Sequence, residues 1–293
     1  MDFSLTPEQK ELQKKLRADF REKIFPNAAS VDAAGEFPFE NWAILRGTGY
    51  QNILLSESGA ADFVSGVIAA EELAVCCGST TLCASASAWL CGLAIAASSD
   101  DEAKKKWLPA LSSGSAVGAY AITESGGGTL AEIKTVAKSN GSGFLLTGEK
   151  VYVTNGAAAD VFVVFALCDG APRAFLVEKG AAGLTVEPKA PAMGMRGAAL
   201  ADLKLENCHA AALGDDAVSA KIAKGLVMHG RLQSAALGVG LARAAYEAAK
   251  HRAETRRAAG KPLGAHQEVS FMIADMYAEA DAARQLTSWA AWS

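Results

Sequence analysis

The 293-residue chain is poor in the residues from which metal and hydrolytic sites are built. Its four histidines, at positions 209, 229, 251 and 266, show no zinc-ligand spacing, and no Ser-His-Asp order stands out. Each reads as a surface or capping residue, and no metal site is expected. The six cysteines stand at 76, 77, 83, 91, 168 and 208, without a pair of CxxC motifs. Adjacent Cys76 and Cys77 make poor disulfide partners, so the thiols are expected to be reduced, in a cytoplasmic protein. A net charge of -4 without a basic stripe gives no electrostatic basis for binding nucleic acid. The opening "MDFSLTPEQKELQKKLRADF" has no apolar run and does not read as a secretory signal. From Leu73 to Ser99 charge is absent, and the length would allow a membrane span. Small residues dominate that stretch, however, and "CGST" reads as a break between helices. Buried helices are expected there, and no membrane partner.

Apolar residues make up 51% of the chain and charged ones 20%, the balance of a soluble globular protein with two or three packed units. Thr6, Pro7 and Gln9 form a capping box before Leu12, Leu16, Phe20 and Ile24, an amphipathic stripe that Pro26 ends. A short helix is expected from Phe37-Pro38 through Arg46, a longer one from Asp62 to Val75 and a further one from Asp100 to Leu111, the last with acids first and lysines later. At Val117 the character changes. "VGAYAI", "EIKTVAKS", "GFLLTGEKVYVT", "VFVVFALC", "PRAFLVEK" and "ADLKLEN" are strand-like and punctuated by Asn140-Gly141, Asp169-Gly170 and Gly180 to Gly183. After Asp215 one very long helix and a second follow. The pattern predicts an α+β chain: helices over 1–115, an antiparallel β-barrel or sandwich over 116–212, and a helical bundle over 213–293.

Two short phrases carry chemistry. In "YAITESGGGT", Tyr120 to Thr129, three glycines allow backbone N–H groups to converge on an anion, with the Thr129 hydroxyl as a further donor. A flexible strand connection is the alternative. In "KVYVTNG", Asn155-Gly156 is a hairpin turn by default.

Read together and in order, these pieces resemble the acyl-CoA dehydrogenase family over the whole chain. "FSLTPEQKELQ", "FPFENWAILRGTGYQN", "IAAEELA" and "KKKWLPALSSG" are similar to its first helical domain. "YAITESGGGT" resembles its Y-x-x-T-E-P-G-A-G-S signature, and "LTGEKVYVTNGAAADVFVVFA" its G-x-K-x-W-I-T-N-G strand pair. "GMRGAALADLKLENCHA" is similar to the segment that closes its β domain, and "ALGVGLARAAYEAAKHRAETRRAAGKPLGAHQEVSFMIADM" to the opening of its C-terminal bundle. The resemblance implies a flavoenzyme with FAD in which a glutamate takes the α-proton of an acyl-CoA and the β-hydrogen leaves to the flavin. It also implies an electron-transfer flavoprotein as acceptor and a homo- or hetero-oligomeric assembly. By position, Tyr120, Ile122 and Thr123 would line the flavin, with Tyr152, Val153 and Thr154 on the ring's other side. Gly128 and Thr129 would hold the pyrophosphate or the neighbouring pantetheine of the substrate. Arg256 and Gln267 would serve the adenosine diphosphate half, so that FAD rather than FMN is expected, and Arg231 would be a buried arginine close to the substrate.

The departures from the pattern matter as much. Ser125, Gly127, Thr129 and Leu130 replace the usual loop residues, Tyr152 the usual tryptophan, and Ala259 a phenylalanine beside the cofactor. Losing that ring forgoes a stacking contact of roughly 0.5–1.5 kcal/mol. The usual catalytic glutamate belongs to a region beyond Ser293. The alternative position used by some members is Gly230, so no catalytic residue is expected in this chain. Three readings follow: a fragment of an ordinary dehydrogenase, a degenerate partner subunit, or a scaffold that keeps the fold. Ala84, Ser87, Ala88 and Gly92 would leave room for a bulky acyl group or suit tight helix packing.

Overall fold

Thr6 opens the first helix as its sequence requires. In a computed structural model describing residues 4–141 and 143–293, its hydroxyl accepts from the Gln9 amide at 3.2 Å. The Gln9 side chain accepts from the Thr6 amide at 3.0 Å, completing the box. Phe3 of the first motif lies outside the described residues, as does Ser142. Helix α1 (Pro7–Lys23) is followed by α2 (Ala28–Ala34), α3 (Phe39–Thr48) and α4 (Tyr50–Leu54). Asp62 then caps α5 (Phe63–Cys76) by accepting from the Val64 and Ser65 amides. The expected break at "CGST" separates α5 from α6 (Gly78–Ser85), which runs through a π-helical turn at Ala86–Gly92 into α7 (Leu93–Ala96). Gly78–Ala96 is long and apolar enough to cross a membrane, yet it is 83% buried inside the protein, as the small residues suggested. Helix α8 (Asp101–Ser112) closes the first helical layer.

Seven strands follow: β1 (Gly118–Ala121), β2 (Val136–Ser139), β3 (Phe144–Val153), β4 (Val161–Cys168), β5 (Ala171–Glu178), β6 (Leu184–Pro188) and β7 (Ala201–Ala212). Most pairings are antiparallel, as expected, but β1 and β2 both pair parallel with β4. Strand β6 was not anticipated; it pairs antiparallel with β7. β4 is buried on both faces, which explains its nearly unbroken apolar run. Val161, Val163 and Phe165 join the core under the helices, while Phe162, Val164 and Ala166 fill the β domain's own core.

Helix α9 (Asp216–Thr255) starts against the sheet, where the Ser219 hydroxyl accepts from the Ala174 amide at 3.1 Å. Its 40 residues make it about 60 Å long at 1.5 Å per residue. A two-stranded hairpin, β8 (Arg257–Ala258) and β9 (Lys261–Pro262), turns the chain into α10 (Gln267–Trp292), which packs back along α9. Where α9 crosses α5, Gly240 permits close approach: a Cβ there would stand 2.4 Å from Ala74 Cβ and 2.7 Å from the Glu71 carbonyl oxygen. The helix propensity gained by alanine, about 1 kcal/mol, is smaller than the usual 1–3 kcal/mol cost of overpacking against backbone. Gly240→Ala is therefore expected to lower the urea midpoint, and an unchanged or higher midpoint would contradict the close crossing.

Ions hold the same crossing together. Arg17 of α1 and Arg243 of α9 both grip the buried Glu72 carboxylate, and Arg243 also reaches Glu71. Burial raises Glu72, but hydrogen bonds from Arg17 and Arg243 outweigh it and hold the carboxyl below its usual range. For Glu71 burial wins, and its carboxyl sits above that range despite Arg243.

Candidate functional site

The two phrases singled out in the sequence lie side by side. Strand β1 is anchored at its start by the Ser87 hydroxyl, which accepts from the Gly118 amide at 2.9 Å. Beyond β1 the chain is pinned to β3, where the Val151 amide donates to the Thr123 carbonyl at 2.8 Å. Lys150 of β3 donates to the Ile122 carbonyl at 3.2 Å and to the Glu124 carboxylate at 2.7 Å. Lys150 is fully buried and Glu124 nearly so. These bonds bring Tyr120, Ile122 and Thr123 next to the Tyr152–Thr154 segment.

Glu124 is committed to this junction. Besides Lys150, it accepts from the Lys134 amide at 2.7 Å, the Thr135 amide at 3.0 Å and the Thr135 hydroxyl at 2.6 Å. Burial pushes its carboxyl up, and the four donors together bring it below its usual range. Burial lowers Lys150 despite the opposing pull of Glu124. A carboxylate so saturated is not free to take a proton from a substrate.

The side chains differ in what they offer. Tyr120 is half-buried and packs edge-to-face on Phe165, with centroids 6.0 Å apart. Ile122 and Thr123 are half-buried as well. Tyr152 is 62% exposed in the left-handed region, at φ 55°. Its amide donates to Asp202 at 2.9 Å, and Lys189 Nζ stands 4.5 Å from its ring centroid. Val153, by contrast, points into the β core and is 2% exposed, so it offers the site only backbone. Thr154 is half-buried. Gly128 and Thr129 lie on an exposed loop, where the Thr129 hydroxyl donates to Glu132 at 2.9 Å.

Other expected residues lie elsewhere. Arg231 is exposed, which corrects the expectation of a buried arginine. Ile222, Leu226, Gln233 and Ala236 form the buried stripe of α9, and Arg231, five residues after Leu226, is turned about 140° away from it. Arg256 and Gln267 are exposed at the turn between α9 and α10, at the opposite end of the 40-residue helix from its junction with the sheet. Among the described residues, nothing pairs with the Arg256 guanidinium. Within one chain they are therefore not brought to the glycine loop.

Sequence reasoning missed two groups. Asn155 is a domain tie as well as a turn residue. Fully buried at φ 65°, its amide donates to the carbonyls of Cys83 and Gly118, each at 2.9 Å. His229 is not a surface histidine: its ring stacks on Phe63 at 5.0 Å, and burial lowers its pKa against an opposing contact with the Trp89 backbone. Beside it, a Cβ on Gly230 would meet only Leu90 Cδ2, at 3.7 Å. The small residues nearby serve packing: Ala84 and Ala88 are buried, and a Cβ on Gly92 would stand 2.2 Å from Leu55.

Three family models match the chain in succession: acyl-CoA dehydrogenase N-terminal domain over residues 6–115, middle domain over 119–208 and C-terminal domain over 220–293. A short-chain specific acyl-CoA dehydrogenase of Clostridium acetobutylicum is 33% identical over 100% of this chain and 80% of its own length. Butyryl-CoA dehydrogenase of Megasphaera elsdenii superposes with a TM-score of 0.92 at 32% identity, over 99% of this chain and 80% of that one. A chain in a structure described as the electron transferring flavoprotein of Acidaminococcus fermentans reaches 0.93 at 30% identity, over 100% and 80%.

Proposed function

Because this chain belongs to the acyl-CoA dehydrogenase family, we propose that it takes part in the FAD-dependent α,β-dehydrogenation of an acyl-CoA thioester to the 2-enoyl-CoA. The observation that carries the reading is the Lys150–Glu124 junction, with the Val151–Thr123 bond beside it, which sets the two flavin phrases next to each other. The ring half of FAD suits what is present: an exposed Tyr152 face, with Tyr120, Ile122 and Thr123 close by. Arg256, without a partner among the described residues, suits a phosphate. When bound, FAD would supply the two-electron acceptor for the hydride. The chain's own residues would hold the ring, shield it from water and fix its orientation.

The distance of Arg256 from the sheet end of α9 supports an oligomer in which a second chain brings its α9–α10 turn to the glycine loop. An electron-transferring flavoprotein is the proposed acceptor, and six buried free thiols suit a cytoplasmic setting. A second reading, a partner subunit that lends its flavin half to a chain carrying the base, is favoured by Gly230, which has no side chain to act as one.

Arg256→Ala tests the reading. Loss of a charge-assisted bond of about 1.5–3 kcal/mol should weaken FAD retention on the order of tenfold to a hundredfold. Thr154→Ala should cost less, since it removes no charge. Retained flavin, measured by absorbance after gel filtration, checks the order; the reverse order would reject the assignment.

A further inference from the structure

Helix α10 is held to the rest of the molecule lightly. Of its 26 residues only Thr287 is buried, although the helix touches both α5 and α9. Between the three helices lies a cavity of about 210 Å³, with Glu71 of α5 on one wall and Asp281 and Arg284 of α10 on another. Glu71 is 4% exposed and only half compensated. Its neighbour Glu72 accepts from two arginines, Arg17 at 2.9 and 3.1 Å and Arg243 at 2.9 Å. Glu71 accepts from Arg243 alone, on Oε1; among the described residues no group donates to its Oε2. The two carboxyls diverge as that difference requires, Glu72 below its usual range and Glu71 above it, where burial outweighs Arg243. A further cation stands across the cavity. The charge of Arg284 is felt at Glu71, but its guanidinium donates to Asp281 at 2.5 Å, one turn away on the same helix. That pair is 39% and 34% exposed, and ion pairs in such contact with water are weak.

We propose that Arg284 is a latch for α10, turning from Asp281 into the cavity to close on Glu71 Oε2 when Glu71 is ionised and returning to Asp281 when Glu71 takes a proton. The inference stands apart from the flavoenzyme reading. Against the roughly 30 Å³ that a water takes in the liquid, the cavity has room for a planar guanidinium. The other charged groups around Glu71 are engaged: Glu72 with Arg17 and Arg243, and Glu247 of α9 with Arg21 and Arg243. Tyr246 and Tyr277 complete the lining, their ring centroids 5.4 Å apart. With Arg284 on Asp281, the raised Glu71 carboxyl stabilises the fold in acid and loses that contribution as pH rises through its folded value. The latch opposes this loss, so Arg284 should matter at neutral pH and little in mild acid.

The test is urea unfolding of the full chain at neutral and at mildly acid pH, with hydrogen exchange of the α10 amides at neutral pH. Wild type is compared with Arg284→Gln, Glu71→Gln, Asp281→Asn and the doubles that join Arg284→Gln to each of the others. At neutral pH Arg284→Gln should lower the urea midpoint and speed exchange across α10 about tenfold, the effect of losing one charge-assisted bond. In acid it should lower the midpoint much less. On the Glu71→Gln background the same change should do little at either pH, and on the Asp281→Asn background it should act as in wild type. An effect that vanishes with Asp281→Asn and persists with Glu71→Gln overturns the latch and leaves Arg284 as a partner of Asp281 alone. Should Glu71→Gln fail to fold, the pH dependence of Arg284→Gln decides. An equal loss in acid and at neutral pH, or no loss at neutral pH, overturns the inference.

Discussion

Gly230→Glu should raise acyl-CoA dehydrogenation by the FAD-supplemented chain about 10²–10⁴-fold, the usual contribution of a positioned general base. Glu124, the carboxylate within the flavin phrase, has all its capacity taken by Lys150, Thr135 and Lys134. The family resemblance places a base at position 230 in some members, and the structure leaves room for one. A Cβ there meets only Leu90 Cδ2 at 3.7 Å, an ordinary contact. Replacing glycine within α9 also gains helix propensity, so the variant is expected to fold. Gly230→Gln is the matched control, equal in size but unable to accept the proton. Dye reduction with a short acyl-CoA measures the outcome. Equal rates for the glutamate and glutamine variants would show that this face of α9 does not meet the α-carbon.

The second large effect is on stability. Lys150→Met should cost about 3–5 kcal/mol, the range for breaking a buried ion pair by removing one partner. The methionine fills the space, but the Glu124 carboxylate stays buried without its cation. The double variant Lys150→Met with Glu124→Gln should recover part of the loss, because no uncompensated charge remains. Acid dependence follows from the same carboxyl. Its folded pKa lies below the ordinary 4.5, so the stability it supplies is present above that value and drains away as pH falls through the folded one. Glu72 acts in the same sense and Glu71 in the opposite one. Urea unfolding between neutral and acid pH should therefore show a steeper acid loss in wild type than in Glu124→Gln. Parallel curves would mean that Glu124 is not held as described.

Local signals were legible and distant partnerships were not. The Thr6 capping box, the start of a helix at Asp62 and the break at "CGST" depend on neighbouring residues, and each is where the sequence puts it. β6 was missed because "LTVEP" follows a glycine-rich turn, ends in proline and lies half in solvent, so its strand signal is short and weakly apolar. The parallel pairings of β1 and β2 with β4 join segments far apart in the chain, and apolar runs do not state direction. "IAAEELA" was read as part of a family phrase, yet it buries two glutamates that only Arg17 and Arg243, from other helices, make tolerable. The site divides the same way. The phrases around Tyr120 and Tyr152 were found from composition and resemblance, but the ion pair that joins them was not. Thr129 and Glu132 have the capping-box spacing seen at Thr6 and form one in the structure, a local signal that was passed over, whereas nothing in a single sequence says that His229 turns inward to Phe63 or that Arg231 faces water.

The claim that this chain is built to hold FAD is tested most directly by titrating the purified, flavin-free chain with FAD and with FMN while following flavin fluorescence. The expected result is saturable FAD binding that Arg256→Ala weakens, with FMN binding far more weakly because it lacks the adenosine diphosphate half. Absence of saturable FAD binding, or equal affinity for FMN, would contradict it.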